Sequence, residues 1–125
     1  MSVVKHKIIE EIALIEISNP PVNAISGAVR IGLLETIENL SLNEKIKAIV
    51  ITAPERTFLA GADIKEFGKK VDAPILGKIC DKIESLNKIV VASLHGTPLG
   101  GGLEVAMSAH YRLSLIHISE PTRPY

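Results

Sequence analysis

Residues 89–104 read IVVASLHGTPLGGGLE, an apolar, β-branched run that gives way to a glycine-rich loop and then to a helix-forming stretch. A run such as Ile89 to Leu94, apolar at successive rather than alternate positions, is the pattern of a strand buried on both faces. The glycines Gly100, Gly101 and Gly102 let the backbone turn sharply and approach a neighbour closely, and Leu103 to Ala109 then reads as a helix. Strand, glycine loop, helix predicts a crossover unit, and Tyr111 onward is a candidate for the next strand.

The same grammar extends upstream. KAIVIT at Lys47 to Thr52 is a second buried-strand run, closed by a turn at Pro54 to Arg56. Between the two strands, a helix beginning at Pro74 places Ile75, Ile79, Ile83 and Leu86 on one face. Before KAIVIT, Ser26 is a suitable N-cap for a helix whose Val29, Leu33, Leu34, Ile37 and Leu40 share a face. Val3 to Ile9 and Ile12 to Ile17 read as a hairpin turning at Glu10 and Glu11, and apolar residues on both faces of the second strand predict cover on each side. Asn19, Pro20 and Pro21 end that strand, because proline offers no donor and restricts the residue before it. The order is that of one α/β domain built from crossover units.

Composition narrows the function classes. The 14 basic and 14 acidic side chains balance and are dispersed, so no electrostatic footprint for nucleic acid or an anionic membrane is present. No apolar run approaches the roughly 20 residues of a membrane helix, and Met1 to Lys7 has no signal-peptide pattern. Cys80 is the single cysteine, which excludes an internal disulfide and fits a reducing, cytoplasmic location. No Cys/His cluster has metal-ligand spacing, so no metal site is expected.

Two loops carry the chemistry. A triple glycine ahead of a helix presents unpaired N–H groups at the positive end of the helix dipole and can hold an anion. No Lys-Ser/Thr pair follows and GxGxxG is absent, so this is not a nucleotide phosphate loop. The second loop, Ala60-Gly61-Ala62-Asp63 within TFLAGADIKEF at Thr57 to Phe67, has small residues where backbone access matters. Taken singly, each feature has a plain structural reading: a tight turn for the glycines, a helix cap for Asp63, a dipole-favoured carboxylate for Glu104. The same holds for His95 and His110 as packed or surface histidines, for Cys80 as a structural thiol, and for Lys65 and Lys69 as solvated lysines.

The pair of loops in this order, TFLAGADIKEF and then HGTPLGGGLEVAM at His95 to Met107, resembles the signature of the enoyl-CoA hydratase/isomerase (crotonase) superfamily. NPPVNAIS at Asn19 to Ser26, KAIVIT, and HYR at His110 to Arg112 extend the resemblance over Val3 to Arg112, and look most like the hydratase/isomerase portion of multifunctional fatty acid β-oxidation proteins. The resemblance implies an α/β fold of repeated ββα units, here incomplete. It implies an oxyanion hole from the backbone N–H groups of Ala62 and Gly101, and a catalytic carboxylate at Glu104 that activates water. Ala60, Ala62, Asp63, Ile64 and Gly101 are the implied contacts to coenzyme A. The implied reaction adds water to a trans-2-enoyl-CoA to give a 3-hydroxyacyl-CoA; double-bond isomerisation and non-catalytic acyl-CoA binding are the alternatives. The partner is an acyl-CoA thioester, with no cofactor bound by this part, since coenzyme A belongs to the substrate. NAD enters only if a dehydrogenase module follows in the parent, which is expected to be homo-oligomeric or fused to such a module.

The family's second catalytic glutamate, in a Gly-Leu-Pro-Glu context, has no counterpart here. After Arg112 the chain reads LSLIHISEPTRPY, which resembles translated sequencing-adapter sequence. The expectation is therefore a partial enoyl-CoA hydratase/isomerase domain over residues 1–112, a non-native tail over 113–125, and a fragment without activity of its own.

Overall fold

Ile9 pairs with Ile12 across a turn made of Glu10 and Glu11 alone, and Glu10 takes φ 57 to make it. Two-residue hairpin loops favour positive φ because the primed turns match the twist of the flanking strands. The structure, a computed structural model, describes residues 3–19, 23–53, 73–94, 105 and 108–114. The hairpin joins β1 (Val4–Ile9) to β2 (Ile12–Ile17) as an antiparallel pair. Beyond it come α1 (Gly27–Ser41), β3 (Ala48–Thr52), α2 (Leu76–Ser85), β4 (Ile89–Leu94) and β5 (Tyr111–Ser114). The sheet order is β1-β2-β3-β4-β5, with β2 to β5 mutually parallel.

Parallel neighbours cannot be joined by a tight turn, so the chain leaves the sheet between them. Each step goes to the adjacent position in the same direction, and crossovers of one hand then stack their helices on one face. α1 and α2 indeed pack against each other. Register fixes which residues meet them. Ala13, Ile49 and Val90 form one row across β2, β3 and β4, Ile15, Ile51 and Ala92 the next, and all six are fully buried. Against these rows α1 sets Val29, Leu33, Ile37 and Leu40, and α2 sets Ile79 and Ile83. Each large aliphatic side chain buried in this way stabilises the fold by about 1.5–3 kcal/mol.

The opposite sheet face corrects a sequence expectation. Cover on both sides of β2, KAIVIT and IVVASL holds for one side only among the described residues. On the other side, Ile12 and Ile89 flank Ala48 and are 45% and 50% exposed, while Leu14, Val50 and Val91 are half-buried beside an exposed Tyr111. The reason is geometric: successive strand residues point to opposite faces, and both described helices lie on the same one. The outer strand β1 is protected differently, since Lys5 and Lys7 are exposed along it and discourage pairing with another strand.

Element boundaries follow their caps. Ser26 Oγ accepts the Val29 N–H at 3.3 Å, so α1 starts where its N-cap was expected. α2 starts at Leu76 and not at Pro74, because Ile75 stays extended with ψ 153, its side chain 74% exposed, and Leu86 lies past the helix end. Of the third expected helix, Val105 and Ser108 are helical, Ala109 is a bend, and the rest lies outside the described residues. The expected domain boundary after Arg112 falls within β5, which aligns Leu113 with Ser93 and Ser114 with Leu94.

One glycine sets how closely α1 approaches the hairpin. A Cβ at Gly32 would stand 2.9 Å from Val4 Cγ2 and 3.0 Å from Val4 Cβ, whereas one at Gly77 in α2 would meet nothing within 4 Å. Val4 is buried and β-branched, so it has little room to yield. Gly32→Ala is therefore expected to lower stability by about 1–3 kcal/mol despite alanine's better helix propensity. Gly77→Ala should raise it by up to about 1 kcal/mol. Urea unfolding of both variants and of the Val4→Ala/Gly32→Ala double variant checks this; the double variant should recover part of the Gly32→Ala loss.

Candidate active site

Strands β2, β3 and β4 run the same way, so their carboxyl ends form one edge of the sheet. Neighbouring strands lie about 4.8 Å apart. Ligands of open α/β sheets bind outside that edge, where the strand-to-helix segments leave. Three such segments leave here: residues 18–26 after β2, 54–72 after β3 and 95–104 after β4. The two loops singled out by sequence therefore depart from adjacent strands. Their chemistry-bearing residues, Ala60, Ala62, Asp63, Ile64, Gly101 and Glu104, lie outside the described residues, as do His95, Lys65 and Lys69. Val105, the residue after Glu104, is described: it is helical and fully buried in the core.

The first of the three segments shows how the edge is held. Asn23 is fully buried with φ 59, a left-handed conformation that asparagine tolerates better than most residues. Its Nδ2 donates to the Ile17 carbonyl at 3.2 Å, and its Oδ1 accepts the Asn19 N–H at 2.6 Å. The Asn23 N–H returns to the Asn19 carbonyl at 2.9 Å. Asn19 Nδ2 donates to the Ala24 carbonyl at 2.8 Å and, at 3.4 Å, to the Ser26 Oγ that caps α1. Polar main-chain groups at a strand end that cannot join the ladder thus find partners inside the segment itself, which satisfies a cost they would otherwise carry. Sequence reading singled out this stretch by resemblance and had Asn19 end the strand with Pro20 and Pro21, but gave the Asn19 and Asn23 side chains no role; two asparagines bracketing Pro20 and Pro21 were the available signal.

The far ends of the segments are held by side chains that sequence reading also passed over. Arg30 Nε donates to the Pro74 carbonyl at 2.8 Å and Nη1 to the Ile25 carbonyl at 3.0 Å, so α1 grips the chain where 54–72 has just ended. Lys88 Nζ donates to the Asn43 and Ile46 carbonyls at 2.8 and 2.7 Å, tying the start of β4 to the start of β3. The Arg30–Pro74 and Lys88 bonds leave no periodic trace in the sequence, because each joins residues more than forty positions apart. Cys80 is half-buried and packs against the core. Among the described residues no group of three His, Cys, Asp or Glu stands close enough to hold a metal ion, and no helix is long and apolar enough to cross a membrane.

What the edge offers chemically is placement of main chain. Two segments leaving adjacent strands can converge backbone N–H groups from both on one acceptor, the requirement of an oxyanion site. The Asn23 lock is the testable part of this scaffold. Asn23→Ala should cost about 2–4 kcal/mol, since it strands two buried polar groups and puts alanine in a left-handed conformation. Asn23→Gly, which keeps the conformation and loses the bonds, should cost less; urea unfolding midpoints of the two variants give the comparison.

Known proteins bear on this arrangement. The family model for enoyl-CoA hydratase/isomerase matches residues 7–114. The chain is 44% identical over 103 residues to a peroxisomal bifunctional enzyme of Danio rerio, covering 82% of this chain and 14% of that protein. It is 36% identical over 110 residues to a probable enoyl-CoA hydratase of Bacillus subtilis (strain 168), covering 82% of this chain and 43% of that protein. Among solved structures, a methylmalonyl CoA decarboxylase superposes with a TM-score of 0.79 at 28% identity, covering 90% of this chain and 44% of that one. The chain thus spans less than half the length of these relatives, and the part it spans has their α/β architecture. With β2 to β5 and both loop segments inside the matched residues, this chain belongs to the enoyl-CoA hydratase/isomerase family.

Proposed function

We propose that this segment supplies the oxyanion hole and one catalytic carboxylate of an enzyme that hydrates trans-2-enoyl-CoA to 3-hydroxyacyl-CoA in fatty acid β-oxidation. The observation that carries the reading is the adjacency of β3 and β4, whose carboxyl ends feed the two loops bearing Ala62 and Gly101. Backbone N–H groups of these two residues donate to the thioester oxygen as it gains negative charge. Preorganised donors of this kind are worth about 3–4 kcal/mol each. Glu104 takes a proton from water as the water oxygen bonds to C3 of the enoyl group. The resulting enolate takes a proton at C2 from the second carboxylic acid, outside this segment, which regains a proton as Glu104 gives up the one it took from water, and the thioester carbonyl is restored.

Ala60, Asp63 and Ile64, with Ala62 and Gly101, would line the coenzyme A moiety, chiefly through main chain. Coenzyme A enters as part of the substrate, and no cofactor is assigned to this segment. The similarity to a bifunctional enzyme supports a parent that carries a second activity, with NAD entering only through a dehydrogenase module. Homo-oligomeric assembly is the alternative to such a fusion. We place the protein in the cytoplasm, since a single cysteine fits a reducing compartment, with the peroxisome, named for the Danio rerio relative among others, as the second location. The similarity to a methylmalonyl CoA decarboxylase favours, as a second reading, a different reaction through the same thioester enolate, double-bond isomerisation among them. We take residues 1–112 as the family segment and 113–125 as a non-native tail.

Two measurements test the proposal. The 125-residue chain alone should hydrate 2-butenoyl-CoA feebly or not at all, because it spans 43% of the hydratase relative's length and holds one of the two carboxylates. In the full-length protein carrying this segment, Glu104→Gln should lower kcat about 10²–10⁴-fold while coenzyme A binding persists. Unchanged turnover in that variant would remove Glu104 from the mechanism.

A further inference from the structure

His110 stands one residue ahead of β5, and it occupies both main-chain hydrogen-bonding groups of Val90 at the start of β4. Its own N–H donates to the Val90 carbonyl at 2.9 Å, and its ring Nδ1 accepts the Val90 N–H at 2.9 Å. With Nδ1 accepting, the ring proton sits on Nε2, which faces the Glu84 carbonyl in the last turn of α2 at 3.4 Å. A single exposed residue therefore touches the sheet twice and a helix once. The chain immediately before it is equally constrained: Val105 is fully buried, Ser108 is buried with its Oγ donating to the Val105 carbonyl at 2.7 Å, and Ala109 is buried.

Val90 lies at the second position of β4, opposite the end from which residues 95–104 leave. Ser108 and Ala109 are thus buried next to a residue anchored at that far end, on Val90. Glu104 is bonded covalently to the buried Val105, so what seats Val105 bears on Glu104. A backbone bond alone would leave one contact and freedom to pivot; the ring supplies a second contact from the same residue.

We propose that His110 is a positioning residue for the thioester site, holding the buried Val105, Ser108 and Ala109 in place by accepting the Val90 N–H, and acting on Glu104 through its covalent neighbour Val105. This rests on the hydratase reading given above. Asparagine carries an acceptor, Oδ1, the same number of bonds from the backbone as Nδ1, whereas glutamine can reach the Glu84 carbonyl but moves the acceptor away from Val90.

The test uses the full-length protein carrying this segment, as wild type, His110→Ala, His110→Asn and His110→Gln. Amide hydrogen exchange at Val90 and kcat and KM for hydration of 2-butenoyl-CoA are read on each. His110→Ala should exchange Val90 about tenfold faster. It should also lose about tenfold or more in kcat with KM little changed, as expected when a catalytic group is displaced. His110→Asn should stay close to wild type in both readouts, and His110→Gln should resemble the alanine variant. If the alanine variant is insoluble, the contrast between asparagine and glutamine decides. Faster exchange at Val90 with unchanged kcat, or asparagine as impaired as glutamine, overturns the proposal while leaving the hydratase reading intact. A wild-type protein inert toward 2-butenoyl-CoA overturns both.

Discussion

Parallel pairing of β2, β3 and β4 is the constraint from which the rest of this structure follows. Because parallel strands need a crossover, the chain must leave and rejoin the sheet between each pair, and it always rejoins at the next free position. That places α1 and α2 side by side and forces the alternate residues Ile15, Ile49 and Ile51 to form the core beneath them. It also brings every strand-to-helix segment out at the same edge. The chemistry proposed here, with backbone donors from two separate loops, needs this arrangement, since donors from distant edges could not meet on one oxygen.

Much of this was legible in the sequence. IVVASL and KAIVIT announced buried strands, Ser26 announced the start of α1, and Val29, Leu33, Ile37 and Leu40 repeated at helical spacing because one face of α1 is dry. The two loops together identified the family. Less visible was anything depending on a single long-range contact. Gly32 matters because Val4 lies against it, and nothing near position 32 in the chain says so. Arg30, Lys88 and His110 looked like ordinary polar residues, because their partners are main-chain groups far away in sequence. The start of α2 was misjudged for a related reason: the proline suggested a first helical turn, but Ile75 remains extended.

Motif resemblance proposed Ala62, Gly101 and Glu104, which lie outside the described residues. It did not point to the groups that hold the described ends of these segments. Asn23 illustrates the difference. Its side chain replaces a missing backbone partner for Ile17 and Asn19, and this substitution is visible only once the fold has brought a strand end and a turn together. Such residues stabilise main chain that regular secondary structure has released, which is where loops that present donors to a ligand must begin and end.

The identity between strand order in the sheet and strand order in the chain also bears on synthesis. A ribosome delivers the hairpin before β3, β4 and β5, and each of these strands emerges to find its neighbour already laid down. No strand has to wait for a partner encoded far downstream, so loop-closure entropy stays small at every addition. Throughout this growth the most recently added strand is the exposed margin, β1 being already guarded by its lysines. The nascent sheet would therefore be adhesive on one advancing side only, and that is the side a chaperone would have to shield until the following strand arrives.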